Sequence, residues 1–348
     1  MNIASAASAF PPHYYAQDVL LRELKNYWGP ALPNPRLLER LYANVAVDGR
    51  YLTMPTEKYY DLKTWGEANN IWIETAQDLG QKAIGCALER AGLAPADLGA
   101  LFFVSVTGIS SPSIDARLIN RMGLSPNIRR VPIFGLGCVA GAAGISIAAD
   151  FVKAYPDKVA ALLSVELCSL TLQRDDVSVA NLLSAGLFGD GAGAVLVAGA
   201  ECKLPGPQIL ATRSIFYPGT ERIMGWDVSE KGFKIVLSKD VPLMAGQLAR
   251  DIDAFLADHG LRRADIERWI MHTGGPKILE ATQEALELPP GALQASWDCL
   301  RRTGNLSSAS VLCVLEEVLL HRQPAEGAFA LLAAMGPGFC SELLLLKF

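Results

Sequence analysis

The 348 residues contain no Cys-x-x-Cys pair, and the seven cysteines (Cys86, Cys138, Cys168, Cys202, Cys299, Cys313 and Cys340) are an odd number. That pattern suggests neither a disulfide framework nor a structural zinc site. Histidine is scarce: His13, His259, His272 and His321 are scattered, so a metal centre has few ligands to draw on and none is expected. Runs of Lys or Arg are missing, and 31 basic against 36 acidic residues leave a net charge of −5, which argues against a nucleic-acid face. No uninterrupted apolar stretch is long enough to span a bilayer, and the first residues lack the charged region of a signal peptide. No membrane association is expected, and the cytoplasm is the default compartment.

What the chain does have is core material: 51% of its residues are hydrophobic and 19% charged, a globular composition. At this length two units are expected rather than one. Helical spacing covers Val19 to Trp28, Trp72 to Ala91 with Gly92 closing it, and a short stretch to Met122. Continuous apolar runs at Leu101 to Val106, Ala160 to Val165 and Ala194 to Val197 read as buried strands. Strands alternating with helices indicate a layered α/β fold. The pattern loosens at Ala200 to Pro207, which divides the chain into 1–200 and 201–348.

The second half repeats the first. Gly92-Leu93-x-x-Ala96-Asp97-Leu98, before the strand at Leu101, is matched by Gly260-Leu261-x-x-Ala264-Asp265-Ile266, before the strand at Trp269. At nearly the same offset Cys138, at its helix start, is matched by Asn305, ahead of the helix Ser308 to Leu320. Phe188-Gly-Asp-Gly191 before a strand is echoed by Met335-Gly-Pro-Gly338 before Glu342 to Leu346. Matches in the same order indicate a duplicated unit with a pseudo-twofold, which would turn Cys138 toward Asn305. His272, ending the strand Trp269 to Met271, also sits at a strand end, where α/β folds keep their chemistry.

Between Val131 and Gly144 a short buried strand is expected to run into a helix, with Cys138 at the junction. The unpaired N–H groups and positive end of a helix favour a thiolate there, which makes Cys138 a candidate nucleophile. Two other readings stand beside it. Free cysteine is commonly an apolar filler. Gly135-x-Gly137-x-x-Ala140 also fits a dinucleotide fingerprint, with Glu166 as the ribose carboxylate of an NAD(P)-dependent oxidoreductase. The dinucleotide reading does not predict the duplication.

Gly137-Cys138-Val-Ala-Gly141, Leu187-Phe188-Gly-Asp-Gly191, His272-Thr-Gly-Gly-Pro-Lys277, Gly304-Asn305-Leu-Ser-Ser308 and Gly336-Pro-Gly338, in that order and spacing, resemble the type III polyketide synthases of the chalcone synthase family. Met224-Gly-Trp-Asp227 and Val165-Glu-Leu-Cys168 are closer to bacterial members. The resemblance implies a thiolase fold of duplicated αβαβα half-domains, a homodimer, and iterative condensation of malonyl-CoA onto an acyl-CoA starter. CoA thioesters would be substrates, with no cofactor.

The resemblance also implies residue roles. Cys138 would carry the acyl chain, with His272 paired to it and keeping the sulfur ionised near neutral pH. Asn305 and His272 would donate to the thioester oxygen during decarboxylation, each donor worth roughly 3 to 4 kcal/mol. Asn305 can equally be a helix N-cap. Phe188 matches an aromatic gatekeeper, and the second gatekeeper position falls at Ile235. Cys168, Thr171, Trp226 and Ser307 match cavity positions, and Val106 replaces a plant threonine; the less polar wall suits an aliphatic starter. Arg50 and Lys277 are the candidates to meet CoA phosphates, the alternative being delivery on an acyl carrier protein. Ser111-Pro112 is expected to be cis. The product would be a pyrone or a resorcinol or other phenolic ring. A ketoacyl synthase III-like enzyme condensing once, with the same Cys-His-Asn set, is the nearest rival.

Overall fold

A computed structural model describes residues 1–32 and 34–348. Its strands in chain order are β1 Asn2–Ala9, β2 His13–Ala16, β3 Gly49–Leu52, β4 Leu98–Val104, β5 Arg129–Ile133, β6 Val159–Leu167, β7 Asp190–Ala198, β8 Gln208–Phe216, β9 Met224–Ser229, β10 Gly232–Leu237, β11 Ile266–Met271, β12 Phe329–Gly336 and β13 Cys340–Lys347. Nine of them join in the order β11-β12-β13-β8-β1-β7-β6-β4-β5, and β2-β3 and β9-β10 form separate hairpins.

The duplication is visible in that order. Outward from the centre, β1-β7-β6-β4 and β8-β13-β12-β11 are the same series, each paired antiparallel, antiparallel, then parallel. The two series meet at a single pair, Asn2 with Gln208. Among the described residues of that sheet, only β5 has no counterpart.

Layering follows from what each face must bury. Every residue of β6, Val-Ala-Ala-Leu-Leu-Ser-Val-Glu-Leu, is buried, as a strand covered on both faces requires. The helices Ala140–Ala154 and Ser310–His321 share one core, where Ile145 and Leu312 pack with Leu162, Val195, Leu332 and Leu344 from both halves. Trp65–Ala91 covers the outer face of one half through Trp72, Leu79 and Ile84. Met244–Ala257 and Pro276–Ala285 cover the other. This is the αβαβα thiolase arrangement. Gly137–Ala154 has the length and hydropathy of a membrane span, but 72% of it is buried inside the protein.

Two local expectations change. The helix expected from Trp72 begins at Trp65, because Thr64 and Glu67 form a reciprocal capping box. The strand before Cys138, expected to be buried, is β5 at the sheet edge, with Arg129, Arg130 and Pro132 exposed. The Ala/Ser-rich opening is β1, at the centre of the sheet. Its small side chains carry no period-two pattern because both faces are covered. Ser111–Pro112 is cis, as is Gly338–Phe339.

Candidate active site

Cys138 lies in the short 3-10 turn Gly137–Val139 that leads into the helix Ala140–Ala154, and is 6% exposed. Gly137 has φ +55°, and a Cβ there would meet Pro337 Cδ at 2.5 Å. The Cys138 turn is thus seated directly on the Gly336-Pro337 loop of the other half. One helical turn on, a Cβ at Gly141 would lie 2.2 Å from the Ser308 carbonyl oxygen, so glycine there lets the two half-domains touch backbone to side.

That approach sets Cys138 Sγ 3.6 Å from Ser307 Oγ. The Ser307 N–H donates to Asn305 Oδ1 at 2.7 Å, and Ser310 Oγ donates to the same oxygen at 3.3 Å. The Asn305 amide therefore caps the turn with its oxygen while Nδ2 points to the Gly274 carbonyl at 3.4 Å. The capping reading of Asn305 is realised through Oδ1, which leaves Nδ2 as the donor of the amide. Gly274 in turn donates its N–H to the His272 carbonyl at 3.0 Å, and the His272 N–H is held by Ala333 O on β12. Cys138, Asn305 and His272 are so linked through Ser307 and Gly274. Phe188 joins them by backbone: Asn305 N–H donates to Leu187 O, and Gly189 N–H to Asn305 O.

Burial dominates the electrostatics. It pushes the Cys138 thiol up to about 12, with Ser307 pulling down and Glu166 adding upward. It pushes His272 down to about 4, and Nδ1 of that ring is buried without a partner among the described residues. Neither group alone holds a charge at neutral pH, so ionised sulfur is not a property of Cys138 by itself.

A cavity of about 110 Å3 is lined by Phe188, Cys168, Thr171, Trp226 and Ile235 together. Val106 and Ser307, expected in the same wall, are elsewhere. Val106 is 3% exposed with its N–H on Glu166 Oε2, and Ser307 faces Cys138. Tyr59, Ser184 and the helix residues Leu20 and Leu24 also line the cavity, and nothing in their local sequence marks them. Phe233 was missed as well: buried two positions before Ile235, it packs edge-on to Trp65 and lies 6.0 Å from the Trp226 ring. A strand puts residues two apart on one face, which is the signal that could have found it.

Two further expectations are corrected. Arg50 is only 3% exposed, its Nη1 donating to Phe188 O at 2.7 Å, so it is not a surface contact for CoA phosphates; Lys277, at the start of Pro276–Ala285, is exposed. Glu166 cannot serve a ribose. It is wholly buried and accepts from Ser105, Thr107 and Ser308 hydroxyls and the Val106 N–H. Burial raises its carboxyl to about 7.

Residues 36–202 match the family model for chalcone and stilbene synthases, N-terminal domain, and 208–348 the model for the C-terminal domain. The chain is 46% identical to a 1,3,6,8-tetrahydroxynaphthalene synthase of Streptomyces peucetius subsp. caesius over 99% of its own length and 93% of that enzyme's. It is 37% identical to a putative chalcone synthase of Bacillus subtilis, covering 87% of each. The crystal structure of 1,3,6,8-tetrahydroxynaphthalene synthase from Streptomyces coelicolor A3(2), a bacterial type III polyketide synthase, superposes with a TM-score of 0.96 at 33% identity, over 100% of this chain and 99% of that one. With the duplicated sheet and the linked Cys138, Asn305 and His272 loops, these matches place the chain in the chalcone and stilbene synthase family, as a type III polyketide synthase that condenses malonyl-CoA.

Proposed function

We propose that Cys138 carries the acyl chain, that His272 takes its proton, and that Asn305 Nδ2 and the His272 imidazole donate to the malonyl thioester oxygen as CO2 leaves. The enolate so formed attacks the Cys138 thioester, extending the chain by two carbons. The observation supporting this most directly is Asn305, whose Oδ1 is taken by Ser307 N–H while its donor nitrogen turns to the His272 loop. Burial drives the lone thiol and the lone imidazole neutral; brought together as a pair, opposite charges offset each other's desolvation. The reactive form is therefore a thiolate–imidazolium pair, helped by the helix end behind Cys138.

Malonyl units serve as starter and extender in this reading, giving a polyhydroxylated fused ring. The support is the 46% identical relative named 1,3,6,8-tetrahydroxynaphthalene synthase: oxygens on alternating carbons are what a run of two-carbon ketide units leaves. An aliphatic acyl-CoA starter giving a pyrone or resorcinol is the second reading, supported by Leu20, Leu24, Leu52 and Ile235 in the cavity wall. Lys277 is the proposed phosphate contact, with an acyl carrier protein as the alternative donor of the starter. The working unit is a cytoplasmic homodimer without a cofactor. Ile109 and Phe134, 49% and 52% exposed around the groove beside β5, support the second subunit.

Incubation with a ladder of acyl-CoA starters and labelled malonyl-CoA, followed by product mass, tests the starter. Asn305→Ala and His272→Ala should each lose CO2 release, while Cys138 of the Asn305 variant still alkylates. Normal decarboxylation in both variants would refute the donor roles.

A further inference from the structure

Arg50 is a buried cation with little to hold it. Among the described residues its hydrogen bonding is confined to Nη1 on the Phe188 carbonyl, and Nε is buried without a partner. Its position is fixed by the approach of Gly304, where a Cβ would come within 3.1 Å of Arg50 Cδ. The charge of buried Asp190 acts on Arg50, but no hydrogen bond joins the two. Asp190 is taken up by the Thr53 N–H and hydroxyl and by the Ser169 N–H and hydroxyl. The Tyr42 hydroxyl lies beside the guanidinium, outside hydrogen-bond geometry.

Arg50 lines the same cavity as Phe188, Cys168 and Ser184, and Ser184 Oγ is also buried without a partner. The other charged residues of that lining, Glu23 and Arg174, are opposite in sign and both half-buried. A guanidinium keeps its charge at any physiological pH, and a desolvated charge is costly until an anion meets it. Polar groups left over in a cavity wall point the same way.

We propose that Arg50 and Ser184 form an anion-holding subsite in the cavity, taking a negatively charged oxygen of the acyl chain. The oxygen belongs either to the distal carboxylate of a dicarboxylic starter or to the enolate of the extended β-keto chain. The subsite rests on the reading of Cys138 as the loaded nucleophile, and the first measurement separates the two.

Loading of Cys138 is followed by intact mass with succinyl-CoA and with butyryl-CoA, its uncharged counterpart, and the products formed with malonyl-CoA are then weighed. If the starter carboxylate is the ligand, wild-type enzyme loads succinyl at least about tenfold faster, as a charge-assisted bond warrants. Arg50→Met then abolishes the preference and Arg50→Lys keeps part of it. If the enolate is the ligand, both starters load alike, and Ser184→Ala and Arg50→Met shorten the product ladder by one or more malonyl units. Equal loading on wild-type enzyme together with an unchanged ladder in Ser184→Ala overturns the subsite, even if Arg50→Met does not fold. Failure of succinyl-, butyryl- and malonyl-CoA alike to acylate Cys138 defeats the reading of Cys138 itself, and the subsite with it.

Discussion

At Cys138 the proposed chemistry comes down to which proton moves. Burial alone puts the thiol near 12 and the imidazole near 4, so in the proposed pairing the sulfur needs His272 to become a nucleophile at neutral pH. In His272→Ala the thiol keeps its burial without the partner charge. Iodoacetamide labelling of Cys138 should then be slow at pH 7 and climb only well above pH 9, while the wild-type profile is already flat there; superimposable profiles would refute the pairing. Glu166 makes a second, opposite prediction. Its folded carboxyl is raised to about 7, above the ordinary 4.5, so the stability it lends is complete below pH 4.5 and is lost as pH rises through 7. At about 1.4 kcal/mol per pH unit, that loss is about 3 kcal/mol. His272 works the other way, adding stability as pH rises from 4 to 6.5, but it is common to both proteins and cancels in a comparison. Urea denaturation of Glu166→Gln should therefore show a smaller fall between pH 4.5 and 8 than the wild type, by about that amount. Identical pH slopes would mean that Glu166 is not held protonated.

The Gly-rich helix after Cys138 shows how one element holds a site together. A Cβ at Gly141 would be 2.2 Å from the Ser308 carbonyl, a backbone atom that cannot rotate away. Gly141→Ala should cost about 3 kcal/mol or more by overpacking and should slow acyl loading, because Cys138 and Ser307 are set by that contact. Gly85, in the middle of Trp65–Ala91, has nothing within 4 Å of its added Cβ. Gly85→Ala should instead stabilise by about 0.5 to 1 kcal/mol. Thermal melts of the two variants should move in opposite directions. The same element scale explains what the sequence made legible. The Cys138 turn, the repeat, the strand end at His272 and the helix start after Asn305 rest on local signals, glycine placement and apolar runs, which survive in a linear reading. The strand β1 did not, because Ala and Ser in a doubly covered strand give neither alternation nor bulk. Arg50 was misplaced for a related reason. A charge reads as surface until the fold shows Phe188, Gly189 and Gly304 closing around it, and those residues are far from it in sequence. Val106 was placed in the wall by its alignment with a plant threonine, but it is buried and is not part of the cavity lining.

The division at 200/201 is proposed here as a boundary between structural halves that are not independent folding units. Each half brings a sheet and one central helix, but the core between the sheets is shared: Ile145 and Val152 of one half pack in the same cluster as Val311, Leu315 and Leu344 of the other. Split at the boundary, either fragment exposes the inner face of its sheet and the apolar side of its helix, a loss that no local hydrogen bond offsets. The strands β1 and β8 also lose each other at the centre of the sheet. The active site divides along the same line, with Cys138 on one fragment and His272 and Asn305 on the other. Fragments 1–200 and 201–348 expressed alone should therefore lack a cooperative thermal transition, and mixing them during refolding should restore both the transition and malonyl-CoA-dependent CO2 release. A sharp, reversible melt from fragment 1–200 alone would show that the first sheet and its helices carry their own core, and the shared-core account of this protein would fall.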